Sequence, residues 1–133
     1  MAKGLDRHNE RKEEVLRFGK DLARRSKSTC ELCETSGVKL NIYEVPPVEE
    51  TPNFDMCIFI CDDCIKKIEN LFKVQENELR FLGNKVWSEV PLVQAVAVHS
   101  LTQVEEKYLW VEGILENVYL EEKAKEFLEK IEL

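Results

Sequence analysis

The strongest constraint on the fold of this chain is a pair of C-x-x-C motifs. Cys30 and Cys33 form the first motif, Cys61 and Cys64 form the second, and residues 34–60 lie between them. Two residues between cysteines allow a tight turn that directs both sulfurs to one point about 2.3 Å away. A second such turn completes a tetrahedron of sulfurs. The spacing therefore predicts one structural zinc ion bound by Cys30, Cys33, Cys61 and Cys64.

Other uses of the cysteines fit the sequence less well. A disulfide scaffold is disfavoured because no signal peptide is recognisable and the five cysteines are an odd number. A thioredoxin-type redox pair requires a βαβ context that the first motif lacks. Cys57 would lie about 13 Å along an extended strand from Cys61, which is too far for the same metal. We expect Cys57 to be a buried free thiol, with a role as a replacement ligand as the alternative.

The net charge of -7 argues against a general nucleic-acid-binding protein. The charge is unevenly distributed, because residues 1–29 hold nine basic and five acidic residues, a net of +4, which leaves -11 for residues 30–133. Two interpretations of the basic segment stay open, contact with phosphate groups and a solvated helix face, and we favour the second.

The sequence also indicates the cellular compartment in which the protein resides. No apolar run reaches the roughly 20 residues that a membrane-spanning helix requires. Reduced cysteines without a recognisable targeting segment predict a cytoplasmic protein with no membrane contact.

Hydrophobic spacing divides the chain into three predicted parts. Residues 1–29 contain an amphipathic helix from residue 8 to residue 25. Residues 30–75 form a zinc-binding module, in which a strand at 38–45 ends at Pro46-Pro47, a second strand covers 56–60, and the second cysteine pair opens a helix that continues to Phe72. A cysteine turn, a β-hairpin and then a helix that carries the last ligands is the order of a treble clef, a zinc-ribbon-like module.

Residues 76–133 are predicted to form a C-terminal helical bundle. A turn is expected at Gly83-Asn84, and a buried helix is expected to begin at Pro91 with Ser88 as its cap. Two amphipathic helices follow, separated near Gly113 or near residues 119–121. The fold class is thus α+β and mostly α. We further expect Trp87 and Trp110 to anchor the core and His99 to be half-buried and hydrogen-bonded.

Four runs of residues together resemble the PhnA family, which is named after the alkylphosphonate-utilisation genes. They are Cys30–Cys33 (CELC), Asn41–Pro47 (NIYEVPP), Cys61–Cys64 (CDDC) and Trp87–Gln94 (WSEVPLVQ). The resemblance covers roughly residues 22–130 and implies that the same four cysteines bind zinc. It implies no particular reaction, because no biochemical activity is firmly attached to the family.

Two departures from the PhnA pattern carry expectations. Glu34 stands where the first zinc turn of the family usually has glycine, so we expect strain in that turn without displacement of the ligands. Longer members also carry a small β-rich C-terminal domain that the present 133 residues do not contain.

A more distant resemblance connects the cysteine module to treble-clef nucleases of the HNH type. Those enzymes use histidines to activate water and to hold a catalytic metal, and the corresponding positions here are Tyr43, Glu44 and Ile65. This favours a zinc-binding protein with a non-catalytic interaction or regulatory role and an unidentified protein partner. The alternatives are an enzyme of phosphonate metabolism, a remodelled nuclease with a site near Tyr43 and Glu44, and nucleic-acid binding through residues 7–27.

Overall fold

The computed structural model describes residues 2–133 and the side chains of residues 7–133. Helices contain 56% of the residues and the sheet is a single two-stranded hairpin, so the predicted class, α+β and mostly α, is confirmed. The strands are β1 (Leu40–Glu44) and β2 (Cys57–Cys61). The helices are α1 (Ala2–Leu16), α2 (Gly19–Ser26), α3 (Asp62–Glu69), α4 (Glu76–Leu79), α5 (Leu82–Lys85), α6 (Pro91–Gln103), α7 (Leu109–Asn117) and α8 (Glu122–Lys130).

The N-terminal segment forms two helices, so the prediction of one helix from residue 8 to residue 25 is wrong. The chain turns at Arg17 and Phe18, between α1 and α2. The Phe18 ring packs edge-on against Phe54, with 5.5 Å between ring centroids. The turn also lets α2 approach β2 and bury Leu22 completely. Contacts with residues far along the chain therefore outweigh the continuous helical spacing.

The hairpin confirms both predicted strands to within about two residues. Strands β1 and β2 pair antiparallel, with Leu40 opposite Cys61 and Glu44 opposite Cys57. Helix α3 follows β2 directly, as predicted, but it ends at Glu69. Phe72 lies in a separate 3-10 turn and its side chain is exposed, so the predicted extension of this helix is wrong.

Helix α6 is the centre of the fold. It starts at Pro91 as predicted, because proline has no N–H to leave unpaired in a first helical turn. Every residue from Leu92 to Val98 is buried, since α6 contacts α5, α7, α8 and β2. Buried side chains of the cysteine module and of the helical segment belong to one hydrophobic core.

Some details around α6 differ from the predictions. The Oγ atom of Ser88 accepts a hydrogen bond from the N–H of Val90, so Ser88 closes the turn before the helix instead of capping α6. Gly83 and Asn84 lie within α5, not in a turn. Gly113 lies inside α7, and the alternative break near residues 119–121 is confirmed.

The predicted core residues have mixed outcomes. Trp87 is 54% exposed, so its assignment as a core anchor is wrong. Trp110 packs against the core, where its indole N–H donates to Glu76 at 2.8 Å. His99 is half-buried, and its Nε2 lies 3.3 Å from the carbonyl oxygen of Leu133, as expected.

None of the helices in the described residues is long and apolar enough to cross a membrane. This agrees with the absence of a long apolar run in the sequence.

Truncation of a leucine in α6 tests the central position of that helix. The Leu101 side chain is fully buried, and Leu101→Ala should lower the free energy of unfolding by about 2–5 kcal/mol through lost burial and the cavity left behind. Leu109→Ala is the matched control, because Leu109 is 87% exposed and its loss should change stability by less than about 0.5 kcal/mol. Urea unfolding of the metal-loaded protein measures both values. Equal losses of unfolding free energy in the two variants would contradict the central position of α6 in the core.

Candidate metal centre

The structure brings together all four cysteines predicted as metal ligands. Their Sγ atoms lie within 4.8 Å of one another. Cys30 Sγ is 3.7 Å from Cys64 Sγ, and Cys33 Sγ is 3.8 Å from Cys61 Sγ. A tetrahedron of sulfurs about 2.3 Å from a central zinc ion has edges of about 3.8 Å. The donor set and the spacing therefore fit one metal ion bound by four thiolates.

The first cysteine turn is closed by hydrogen bonds to its own backbone and to the hairpin. The N–H of Cys33 donates to Cys30 Sγ at 3.5 Å, and the N–H of Cys61 donates to the same sulfur at 3.4 Å. Glu34 has a φ of 65°, a left-handed conformation that glycine adopts at little cost. The strain expected at this position is therefore present, and the sulfurs nevertheless converge.

The second pair lies at the junction between β2 and α3. Cys61 is the residue before the helix and Cys64 lies in its first turn, where unpaired N–H groups favour negative charge on the sulfurs. Asn41 of β1 supports this junction, because its Nδ2 donates to the carbonyl of Ile60 at 3.1 Å and to Oδ1 of Asp62 at 2.8 Å. No pattern in the sequence pointed to this role of Asn41.

Hydrogen bonds couple the thiols of the cysteine cluster. The hydrogen bond between the Cys30 and Cys64 sulfurs lowers the pKa of Cys30 to about 4, despite its burial. The same hydrogen bond, followed by burial, raises the pKa of Cys64, and burial raises that of Cys61. A metal ion must displace these protons, so its affinity for the cluster falls as the pH is lowered.

Glu31, inside the first cysteine turn, is a structural residue that the sequence analysis missed. Its side chain is only 4% exposed and accepts hydrogen bonds from Nε and Nη2 of Arg25 at 2.8 and 2.7 Å. It also accepts the N–H of Phe59 at 2.8 Å, while Arg25 Nη2 donates to the carbonyl of Cys57. One buried carboxylate thus joins α2, the cysteine turn and β2.

Tyr43 and Glu44, which the sequence analysis considered as an alternative site, are both engaged in internal contacts. Glu44 accepts hydrogen bonds from Nη1 and Nη2 of Arg11 at 2.9 and 2.5 Å. The Tyr43 hydroxyl donates to Glu69 at 3.1 Å, and burial followed by the Glu69 charge raises the pKa of Tyr43. Ile65 packs against the core. All three side chains are therefore engaged in contacts within the protein.

Cys57 lies outside the cluster and is a buried free thiol, as expected. Its Sγ donates to the carbonyl of Asn53 at 3.4 Å. Burial, and then the nearby charge of Glu44, raise the pKa of Cys57 to about 11. Its thiol is therefore protonated at neutral pH.

The chain is thus an α+β protein with a four-cysteine candidate metal centre. The sequence matches no protein-family model, and no curated protein or solved structure is significantly similar to it.

Removal of the charge on Glu31 tests the junction beside the metal centre. Glu31→Gln leaves Arg25 half-buried without its counter-charge, and we expect the free energy of unfolding to fall by about 2–4 kcal/mol. Glu34→Gln is the control in the same turn, because the Glu34 carboxylate is 74% exposed and its pair with Lys85 contributes little. Chemical denaturation of both variants, prepared in the same way, measures the difference. A Glu31→Gln protein as stable as the control would disprove the role of this carboxylate.

The pKa of Cys57 predicts its reactivity. Only the thiolate reacts with iodoacetamide, so Cys57 in the folded protein should be alkylated far more slowly at pH 8 than after unfolding in urea. Its rate should rise as the pH increases toward 11. Peptide mapping by mass spectrometry separates Cys57 from the other cysteines. Equal rates in the folded and unfolded protein would contradict the assignment.

Proposed function

We propose that Cys30, Cys33, Cys61 and Cys64 bind one structural Zn²⁺ ion. The observation that carries this proposal is the spacing of the four sulfurs, which fits the edges of a tetrahedral zinc site. Four protein ligands fill the coordination of such an ion and leave no position for water or substrate. A closed site of this kind stabilises a fold instead of activating a reactant.

We further propose a PhnA-like protein whose cysteine module is a treble clef. The order of elements supports the module, since a cysteine turn is followed by β1, β2 and a helix that carries Cys64 in its first turn. The runs NIYEVPP and WSEVPLVQ support the family. The role that fits best is a non-catalytic interaction or regulatory protein that binds a protein partner in the cytoplasm.

The contacts of the acidic and basic side chains favour this role over the alternatives. An enzyme of phosphonate metabolism or a remodelled nuclease needs an open metal position, and both carboxylate oxygens of Glu44 are held by Arg11. Nucleic-acid binding needs free cations on residues 7–27. Three of the eight cations in that segment, Arg11, Arg24 and Arg25, form ion pairs within the protein, which reduces the basic surface available for phosphate contact.

Metal analysis tests the proposal directly. We expect one zinc ion per chain with four sulfur neighbours at about 2.3 Å, measured by elemental analysis and X-ray absorption. A strong chelator should unfold the region around the hairpin, because structural zinc contributes on the order of 10 kcal/mol to small modules. Circular dichroism and amide hydrogen exchange measure this loss of structure.

Two cysteine variants provide the matched comparison. Cys64→Ser should lose zinc and the chelator-sensitive structure, whereas Cys57→Ser should retain both, because Cys57 lies outside the cluster. Purification without zinc and with unchanged structure in chelator would refute a structural site. Oxygen neighbours or an exchangeable water at the metal would instead support a catalytic site.

A further inference from the structure

A cleft on the side of α6 is lined largely by the run WSEVPLVQ, which the metal centre does not use. Its volume is about 310 Å³, near the lower end of the range for sites that bind small molecules. The lining residues are Trp87, Ser88, Glu89, Pro91, Gln94, Tyr119, Glu121 and Ala124. The cleft thus joins the segment before α6 to the segment between α7 and α8.

Two aromatic side chains line the cleft and remain exposed. Trp87 is 54% exposed and Tyr119 is 75% exposed. Of the nine other aromatic rings, five pair with the protein's own cations and Phe18 packs on another ring, while Tyr43, Phe59 and Phe72 do neither within the described residues. The five cation pairs are Arg25 with Phe54, Lys67 with Phe81, Arg80 with Trp110, Lys107 with Tyr108, and Lys123 with Phe127. Among the described residues, neither Trp87 nor Tyr119 has an aromatic or cationic partner of this kind.

A buried glutamine connects the two aromatic segments. Gln94 is 8% exposed, and its Nε2 donates to the carbonyl of Val86 at 2.7 Å and to that of Tyr119 at 3.1 Å. Both amide protons of Gln94 are therefore donated to the backbone. One holds the residue before Trp87, and the other holds Tyr119 itself. Its oxygen Oε1 has no hydrogen-bond partner within residues 7–133 and remains an acceptor on a side chain that lines the cleft.

The charge of the cleft is negative. Glu89 and Glu121 both line it, and both residues are exposed. In the described part of the chain neither carboxylate forms a salt bridge. Residues 30–133 carry a net charge of -11, and a negative net charge attracts cations at long range.

We propose that this cleft binds a small organic cation with an alkylammonium head group. The faces of Trp87 and Tyr119 attract a positive charge through their π electrons, and a methylated ammonium group also gains apolar contact with the rings. Glu89 and Glu121 supply the opposite charge, and Oε1 of Gln94 accepts a hydrogen bond where the ligand has a donor. This site does not depend on the zinc ion and adds ligand binding to the proposed function.

Nuclear magnetic resonance with choline as the probe tests the cleft. The chain has two tryptophans, so the indole N–H signal of Trp110 is an internal control for that of Trp87. Choline should shift the Trp87 signal in a saturable way, and the Trp110 signal should stay in place. The uncharged analogue 3,3-dimethyl-1-butanol has nearly the same shape and should bind at least about tenfold more weakly, because it lacks the charge.

Matched variants assign the binding to named side chains, with the Tyr119 amide signal as the readout. Trp87→Leu and Glu121→Gln should each weaken choline binding, by about tenfold for the tryptophan. Phe72→Leu and Glu129→Gln alter exposed residues that do not line this cleft and should leave binding unchanged. Equal binding of the neutral analogue would overturn the proposal. No shift of Trp87 with choline at about 10 mM, or unchanged binding in Trp87→Leu, would also overturn it.

Discussion

Convergence of four cysteine sulfurs is the constraint on which the N-terminal half of the protein depends. A two-stranded hairpin is marginally stable by itself, and α3 has only eight residues, too few for a stable isolated helix. The cysteine cluster joins the first turn to the point where β2 becomes α3. A metal ion bound there would cross-link the hairpin and the first turn of the helix, in addition to the contacts that both make with the shared core.

The buried Glu31 carboxylate adds a second connection at the same place. A thiolate cluster attaches turns to one another but does not attach α2, which carries no ligand. The pair between Arg25 and Glu31 makes that attachment, and Leu22 is buried beside it. A buried ion pair is expensive to desolvate, so its value here lies in fixing the direction of α2 through three hydrogen bonds from Arg25, while a fourth, from Phe59, ties Glu31 to β2.

The run from Trp87 to Gln94 connects the two regions of interest. Ser88 borders the aromatic cleft and also a second cavity, which is lined by Cys30, Glu31 and Val93. Gln94 lies in the first turns of α6, the most buried helix. This segment lies between the proposed zinc centre and the proposed ligand cleft, and it is buried on its α6 side and exposed at Trp87. That arrangement suits a surface site held by a stable core.

The sequence alone determined features that depend on near neighbours along the chain. Cysteine spacing identified the four clustered residues, alternation identified the first strand, a short apolar run identified the second, and Pro91 marked the start of α6. Tertiary structure alone decided where the N-terminal helix breaks, at Arg17 and Phe18, and that Trp87 is exposed. It also decided that the Glu31 carboxylate joins three elements and that the Gln94 amide bridges two segments. These features depend on contacts between residues far apart in sequence, and local periodicity contains no information about which distant groups will meet.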